Sequence, residues 1–247
     1  MIYFIGAGPG APDLITLRGA RLLRQADLVI YAGSLVNPEL LKECPPRCTC
    51  LDSSGMTLEE VISAIQSCSG ETIVRLHTGD PSLYGAIQEQ MDALTRLGLP
   101  YEIVPGVSSM SAAAAALQTE YTLPGVSQTV IVSRMAGRTP VPDREQIRSL
   151  ARHQSTMVLF LSVSMLPDLC RELIEGGYRP DTPAAVVSRA SWPDQAIIRG
   201  TLSDLPQKAS GIRKTALVLV GDFLSGTRER SKLYDPSFTH GYREGKK

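Results

Sequence analysis

The chain has 247 residues, enough for one or two domains with a full hydrophobic core. It carries 25 Lys and Arg against 25 Asp and Glu, and this zero net charge argues against a nucleic-acid-binding protein, which needs excess positive charge to neutralise phosphates. We find no apolar run of membrane-spanning length and no signal-peptide pattern, so we expect a cytoplasmic protein without membrane contact; five cysteines, an odd number, also fit a reducing compartment.

Strand-length apolar runs alternate with helical periodicity from the start of the chain, which is typical of an α/β protein. The first strand ends in residues 6–10, Gly-Ala-Gly-Pro-Gly. Residues 108–117 are rich in alanine and read as a tightly packed helix. In this first half we predict strands at 28–31, 72–77 and 101–104, and helices near 16–25, 58–65 and 84–97.

Residues 120–125 contain Pro-Gly and suggest a connection, after which the α/β pattern restarts. We therefore predict two α/β lobes with a cleft between them: a domain at 1–118, a linker at 119–126, a second domain at 127–224 and a polar surface tail at 225–247. In the second domain we predict strands at 129–133, 157–161, 184–188, 196–199 and 216–220, and helices at 143–151 and 166–175.

Two loops carry the strongest functional signal. Residues 6–10 and residues 79–85, Gly-Asp-Pro-Ser-Leu-Tyr-Gly, each follow a predicted strand. Glycine lets the backbone approach a ligand, and proline fixes the shape of a turn. Two such loops at strand ends predict one small-molecule site at the carboxyl edge of a parallel sheet.

The first loop also matches the dinucleotide fingerprint GxGxxG/A in form. That fingerprint needs a tight turn into a helix and an acidic residue at the end of the second strand. Here Pro9 and Pro12 lengthen the loop, and the second strand ends in Tyr31-Ala32-Gly33 with no acid. A nicotinamide or flavin dinucleotide is therefore disfavoured.

Three cysteines lie close together in sequence at Cys44, Cys48 and Cys50. They contain no CxxC pair, no histidine is near, and Pro45-Pro46 indicates a turn before a short strand. We expect thiols without a function here and predict no metal site.

Four motifs together resemble the tetrapyrrole methylase family, over nearly the full chain. They are residues 6–10, residues 79–81, the run Val-Pro-Gly-Val-Ser-Ser at 104–109 and Gly-Thr-Leu at 200–202, in the family's order and spacing. The resemblance implies S-adenosylmethionine as methyl donor, S-adenosylhomocysteine as product, a porphyrin-like small molecule as acceptor and a homodimer.

Within the family, the chain is similar to the precorrin-4 C11-methyltransferases of cobalamin synthesis, and more to those of the anaerobic, cobalt-containing route. The similar segments are residues 30–36, 137–142, 190–193, 212–216 and 240–243. Members that act on uroporphyrinogen often have an aspartate after the tyrosine of the second strand. Ala32 stands at that position, which disfavours that substrate.

The family's cofactor positions transfer residue by residue. The family's residues are matched at most of these positions. The chain departs from the family at four of them: it has Ser-Ser in place of Thr-Ala at 108–109, leucine in place of methionine at 161 and alanine in place of glycine at 190. The implied cofactor-binding residues are Pro9, Thr78, Gly79, Asp80, Leu83, Ser108, Ser109, Leu161 and Ala190.

Methyl transfer from a sulfonium to carbon is an in-line displacement, and attack at C11 forms a quaternary carbon that loses no proton. We therefore expect no required general base, with Asp80 as the one candidate catalytic side chain, because orientation and electrostatics supply the rate. The acceptor's carboxylates would suit arginine forks. We nominate Arg134, Arg138, Arg189 and the only tryptophan, Trp192, as substrate-binding residues, each with a purely structural alternative.

The sequence is also compatible with other functions. One is a methyltransferase of the same family with a different acceptor, such as another precorrin position, uroporphyrinogen III, ribosomal RNA or a protein. Another is an adenosyl-binding regulatory module without catalysis.

Overall fold

The computed structural model describes residues 1–226 and 229–246. Two compact units emerge: Met1–Ala113 with Arg189–Gln195, and Ala114–Ser188 with the chain from Ala196 onward. These bounds differ from the predicted lobes, since the first unit stops inside the alanine-rich helix and includes a segment from late in the chain. The division at 1–118, 119–126, 127–224 and 225–247 stays a prediction.

The first unit is built on a sheet in which every paired strand is parallel. Its strands are β1 (Ile2–Gly6), β2 (Leu28–Tyr31), β3 (Thr49–Asp52), β4 (Ile73–His77) and β5 (Tyr101–Val104), in the order β3-β2-β4-β1-β5. Gly6 lies opposite His77, so β1 and β4 end side by side. This arrangement confirms the predicted parallel sheet and brings the two glycine loops to one edge.

Helices cover both faces of this sheet, which explains why its inner strands are almost continuously apolar. Phe4 and Ile30 pack on one face in a core with α2 (Leu58–Ser67) and α3 (Gln88–Arg96). The neighbouring residues Ile5 and Val29 point to the other face and pack with α1 (Leu17–Leu23). The remaining helix, α4, spans Ser109–Leu117.

Two predicted helices differ in the structure for backbone reasons. Helix α3 begins at Gln88 rather than near residue 84, because Tyr84 and Ala86 have φ values of 56° and 49°, which a right-handed helix cannot include. The predicted helix 143–151 is split into a 3-10 turn, Asp143–Glu145, and α5 (Ile147–Ala151), because Gln146 between them has ψ 143°.

The second unit contains a mixed sheet. Its strands are β6 (Val130–Arg134), β7 (Thr156–Phe160), β8 (Pro183–Ser188), β9 (Ala196–Thr201) and β10 (Ala216–Val220), in the order β6-β7-β10-β8-β9. Only β6 and β7 pair in parallel; the other pairs are antiparallel. Helices α6 (Leu166–Glu175) and α7 (Leu205–Lys208) contribute to its core. The α/β class is confirmed.

None of the helices within 1–226 and 229–246 combines the length and the apolar character that a membrane span requires.

Candidate cofactor and substrate site

The loop after β1 (residues 7–11, the first loop) and the loop after β4 (residues 78–85, the second loop) are joined by backbone hydrogen bonds. The amide of Gly79 donates to the carbonyl of Gly8 at 2.8 Å, and the amide of Gly8 donates back to Gly79 at 3.3 Å. Both glycines have positive φ, 79° for Gly8 and 63° for Gly79, which favours residues without a Cβ. The two loops predicted from the sequence are therefore hydrogen-bonded to each other.

A third loop (residues 105–108), which follows β5, packs against these two backbone to backbone. A Cβ on Gly106 would lie 2.2 Å from the Gly79 carbonyl oxygen and 2.6 Å from the Cα of Gly6. Backbone atoms cannot move aside as a flexible side chain can, so glycine is required at this position. Gly79 also lies close to Ser109, because a Cβ on Gly79 would be 3.5 Å from the amide nitrogen of Ser109.

Asp80 connects the second loop to the third. Its carboxylate accepts the amide of Gly106 at 2.8 Å through Oδ2 and the amide of Ser82 at 2.9 Å through Oδ1. The Ser82 hydroxyl donates to the same Oδ1. Burial opposes ionisation of Asp80, but these hydrogen bonds outweigh it and hold the pKa of the carboxyl below its usual value. Asp80 is therefore ionised at neutral pH. It does not cap α3, which begins eight residues later in the chain.

A segment from late in the chain, residues 189–195, secures the first loop. The indole Nε1 of Trp192 donates to the carbonyl of Pro9 at 2.9 Å, and a Cβ on Gly10 would lie 2.1 Å from the indole. The hydroxyl of Ser191 accepts the amide of Ala11 at 3.0 Å. Asn37, which is buried, donates its amide to the carbonyl of Gly10 at 2.8 Å. The first loop is thus fixed by contacts up to 183 residues apart in sequence.

Arg189 supports this segment rather than standing free in solvent. Its guanidinium lies 4.0 Å from the centroid of the Trp192 ring and pairs with Asp194 at 2.6 Å. Such a stacked, paired guanidinium stabilises the ring position. Arg189 and Ser191 have φ values of 48° and 67°, and left-handed non-glycine residues often occur at functional sites.

The other cofactor candidates of the first unit lie on or next to the three loops. Thr78 and Leu83 belong to the second loop, and the amide of Leu83 donates to the carbonyl of Asp80 at 3.2 Å. Ser108 ends the third loop, and its carbonyl accepts the amides of Ser111 and Ala112 in α4. Ala190 is buried and directly precedes Ser191 and Trp192, the two residues of segment 189–195 that hydrogen-bond the first loop.

The second unit holds the remaining candidates at the carboxyl ends of β6 and β7. The amide of Met135 donates to the Ser162 hydroxyl at 2.8 Å, which joins the loops after these two strands. Leu161 is 66% exposed and has φ 54°. Arg134 donates to the carbonyls of Thr139 and Pro140, so its guanidinium holds its own loop.

Arg138, in that same loop, is exposed. No described carboxylate lies within 4.0 Å of its guanidinium. Arg138 is therefore the nominated arginine whose fork is most available for a bound carboxylate.

His77 is the last residue of β4 and directly precedes the second loop. It is 4% exposed, and no described group hydrogen-bonds its Nε2. Burial, together with the nearby charge of Arg75, lowers the pKa of His77 to about 3. The imidazole is therefore neutral at physiological pH.

Sequence reasoning missed Asn37 and Ser191 as site residues. Asn37 caps a 3-10 helix through the amide of Glu39, so its local signal is a capping signal only. Ser191 sits near Trp192 in sequence, and nothing local indicates a contact with Ala11.

The chain is similar to known proteins over most of its length. The family model of the tetrapyrrole (corrin/porphyrin) methylases matches residues 1–206. The chain is 52% identical to a cobalt-precorrin-4 C(11)-methyltransferase of Methanocaldococcus jannaschii, with 100% of this chain and 97% of that protein covered.

Solved structures agree as well. The X-ray structure of a cobalt precorrin-4 methyltransferase, a cobalamin biosynthetic enzyme, is 48% identical with a TM-score of 0.88, covering 90% of this chain and 95% of that one. A uroporphyrin-III C-methyltransferase from Thermus thermophilus, complexed with S-adenosylhomocysteine, is 28% identical with a TM-score of 0.78, covering 91% and 98%.

The chain therefore belongs to the tetrapyrrole methylase family, as the four motifs indicated.

Proposed function

We propose that this chain transfers a methyl group from S-adenosylmethionine to C11 of precorrin-4 or its cobalt complex, in cobalamin biosynthesis. The observation that carries the proposal is the similarity to a cobalt-precorrin-4 C(11)-methyltransferase at 52% identity over the whole of this chain. A solved cobalt precorrin-4 methyltransferase with a TM-score of 0.88 supports the same conclusion.

The residues of the first unit suit an adenosyl sulfonium ligand. Gly6 and Gly106 let the three loops pack backbone to backbone at one edge of the sheet. We propose that main-chain donors and acceptors of these loops bind the nucleoside. The ionised Asp80 carboxylate places negative charge among these loops, and this charge favours a cationic sulfonium. In the first unit the proposed cofactor-binding residues are Pro9, Thr78, Gly79, Leu83, Ser108, Ser109 and Ala190. Leu161, which belongs to the second unit, is proposed as a cofactor-binding residue from the family resemblance alone.

When bound, S-adenosylmethionine supplies an electrophilic methyl group, so the chain itself need only bind and orient. The hydrogen bonds from Gly106 and Ser82 to Asp80 fix the second and third loops before any ligand arrives. Trp192 does the same for the first loop through the Pro9 carbonyl. Such preorganisation can supply roughly 7–11 kcal/mol of barrier reduction in well-oriented reactions.

No residue of the chain is assigned as a general base. Attack at C11 leaves no proton on that carbon, and a ring nitrogen can release one instead. His77 is buried and has a pKa of about 3, so it is a poor proton acceptor near neutral pH. Asp80 has its oxygens engaged by Ser82 and Gly106, which suits a positioning role.

The acceptor's carboxylates need cationic partners, and the nominated residues divide into two kinds. Arg138 is exposed and available, so we propose direct carboxylate binding for it. Arg134 of the second unit, and Arg189 and Trp192 of the first, are held by contacts within their own units, so we propose that each positions the segment to which it belongs.

An assay with labelled S-adenosylmethionine tests the main proposal. Precorrin-4 and its cobalt complex are supplied separately, and the products are analysed by mass spectrometry and carbon NMR. We expect a gain of one methyl group at C11. Methylation at another carbon, or of uroporphyrinogen III in preference, would overturn the assignment. Ala32 stands where uroporphyrinogen-acting members often have aspartate, which favours the precorrin acceptor.

The carboxylate role of Arg138 has a matched control. We expect Arg138→Gln to raise the KM for the tetrapyrrole about tenfold or more, since charge-assisted hydrogen bonds contribute about 1.5–3 kcal/mol. Binding of S-adenosylhomocysteine should not change. Arg144→Gln is the control, because it removes another arginine of the second unit, one whose side chain is 89% exposed. It should leave unaltered both the KM for the tetrapyrrole and the affinity for S-adenosylhomocysteine. Equal effects of the two substitutions would contradict the assignment.

We further propose a cytoplasmic homodimer. The five free cysteines fit a reducing compartment, and the dimer rests on the family resemblance. Sedimentation equilibrium at several concentrations tests the dimer, and a monomer at micromolar concentration would contradict it.

A further inference from the structure

The structure brings together the three cysteines that the sequence suggested were without a function. The Sγ atoms of Cys44, Cys48 and Cys50 all lie within 4.8 Å of one another. Cys44 and Cys48 are partly buried, Cys50 is exposed, and none of the three is in a disulfide. We call these residues the thiol cluster. It belongs to the first unit and contains none of the proposed cofactor or acceptor residues.

Local structure fixes the backbone at Cys44 and Cys48. Cys44 ends the 3-10 helix Pro38–Glu43, and its amide donates to the carbonyl of Leu41 at 3.2 Å. Two prolines follow, and the amide of Cys48 closes the turn by donating to the carbonyl of Pro45 at 2.9 Å. The backbone here is therefore constrained before any ligand binds, so binding costs little additional backbone conformational entropy.

The sheet register explains why Cys50 joins the other two. Cys50 lies on the edge strand β3 directly opposite Val29 of β2, and paired residues project from the same face of a sheet. Val29 belongs to the core cluster against which Cys44 and Cys48 pack. The three side chains therefore lie on the same side of the sheet, where Cys44 and Cys48 pack against the core and Cys50 is exposed.

We propose that the thiol cluster binds a thiophilic closed-shell cation, Zn²⁺ in the first instance, through three thiolates. Sulfur atoms bound to one tetrahedral zinc at about 2.3 Å are about 3.8 Å apart, so shifts of about 1 Å or less bring these Sγ atoms into range. Soft sulfur ligands select such cations over magnesium or calcium. Zinc binding displaces the thiol protons and changes no oxidation state.

The neighbouring charges leave the fourth coordination position to solvent. Asp27 is the adjacent carboxylate, but its Oδ2 accepts the amides of Glu71 and Thr72 at 2.9 and 3.0 Å. Its Oδ1 lies 3.5 Å from the guanidinium of Arg47, the residue before Cys48. A cation here would join the end of the 3-10 helix to the edge strand.

Cobalt provides the direct test, because Co²⁺ replaces Zn²⁺ and its thiolate complexes absorb in the visible and near ultraviolet. The full chain is reduced, freed of metal with a chelator and titrated anaerobically with Co²⁺. We expect saturation at one Co²⁺ per chain with thiolate-to-cobalt charge-transfer bands, and bleaching when Zn²⁺ is added.

Variants decide whether these three residues are the ligands. Cys44→Ser, Cys48→Ser and Cys50→Ser should each lose at least tenfold in Co²⁺ affinity and about a third or more of the charge-transfer intensity, since one thiolate of three is gone. Cys68→Ser is the matched control, because Cys68 is a partly buried cysteine of the same unit outside the cluster.

A thermal readout keeps the test independent of methyl transfer. At the same Zn²⁺ concentration, the melting temperature of the reduced parent protein and of Cys68→Ser should rise by more than that of Cys50→Ser. The proposal is overturned if Co²⁺ gives no thiolate bands, or if Cys50→Ser binds as the parent does. It is equally overturned if peptide mapping shows the thiols paired as a disulfide in a protein that gains no stability from Zn²⁺ after reduction.

Discussion

Asp80→Ala is the most informative substitution in the proposed cofactor site. The carboxylate of Asp80 joins two loops, through the amides of Ser82 at 2.9 Å and Gly106 at 2.8 Å. Alanine removes both acceptors and leaves the Gly106 amide without its carboxylate partner. The loops would then have to be ordered by the ligand itself, so we expect the affinity for S-adenosylhomocysteine to fall.

The magnitude follows from the hydrogen bonds that are lost. An unsatisfied, partly buried amide costs about 1–3 kcal/mol, and hydrogen bonds to a charged acceptor contribute about 1.5–3 kcal/mol each. If the ligand must restore even one of these contributions, its affinity falls about 10- to 100-fold, at 1.4 kcal/mol per factor of ten. Isothermal titration calorimetry with S-adenosylhomocysteine measures this change directly.

The chain offers a matched control for Asp80→Ala. Residues 235–237 repeat the tripeptide Asp-Pro-Ser, and the Asp235 carboxylate accepts the amide of Ser237 at 2.9 Å and its hydroxyl at 2.8 Å. Asp235→Ala therefore removes the same turn without any bond to a third loop, and should leave binding unchanged. Asp80→Asn, which keeps one acceptor oxygen, should lie between the parent and Asp80→Ala.

The result that would refute this reasoning is unchanged calorimetric affinity in Asp80→Ala. Asp80 also contributes to acid stability with a defined sign. Its pKa in the folded chain is lowered from 3.8, so the stabilisation is present above that pH and is lost as the pH falls through the lower, folded value. The difference in free energy of unfolding between the parent and Asp80→Ala should therefore become smaller only at strongly acidic pH.

Three further predictions concern the buried histidine, the glycine contacts and the tryptophan. His77 has a pKa lowered from 6.5 to about 3, so below pH 6.5 the unfolded chain binds a proton that the folded chain does not. Between pH 6.5 and about pH 3, the free energy of unfolding should then fall by about 1.4 kcal/mol per pH unit. Urea titrations at pH 7 and pH 5 should show that His77→Leu lacks this part of the pH dependence. Gly106→Ala should lose at least about 1–3 kcal/mol in thermal unfolding because its Cβ would be 2.2 Å from a backbone oxygen, whereas Gly55→Ala, with nothing within 4 Å, should stay within about 0.5 kcal/mol; similar losses would count against the packing argument. Trp192 is the only tryptophan and donates to the Pro9 carbonyl at 2.9 Å, so S-adenosylhomocysteine bound at the first loop should change the intrinsic fluorescence of the protein. Unchanged fluorescence across the titration would contradict cofactor binding at this loop.

Much of the fold was predictable because strands and helices have different hydrophobic periods. Helix α6, Leu166–Glu175, and strand β10, Ala216–Val220, begin and end where the sequence predicted them. The start of α3 was not predictable from the apolar stripe, since Tyr84 belongs to that stripe but has φ 56°. A side-chain pattern reports which face is buried and does not report a left-handed backbone.

The candidate site was predictable to the extent that its signals are local. The first and second loops could be read from glycine and proline after a strand, and their hydrogen-bonded pairing at Gly8 and Gly79 confirms that they meet. Asp80 was nominated, but its bond to Gly106 was not, because a carboxylate's partner 26 residues away leaves no local trace.

The sequence by itself determined the α/β alternation, the parallel first sheet, the glycine loops and the family, because each depends on torsional preference, periodicity or ordered local motifs. Only the tertiary structure decided the mixed order of the second sheet, the contact of Trp192 with Pro9 and the convergence of Cys44, Cys48 and Cys50. Those features depend on which distant segments become neighbours. That choice is made by the packing of whole elements, so no single stretch of sequence contains it.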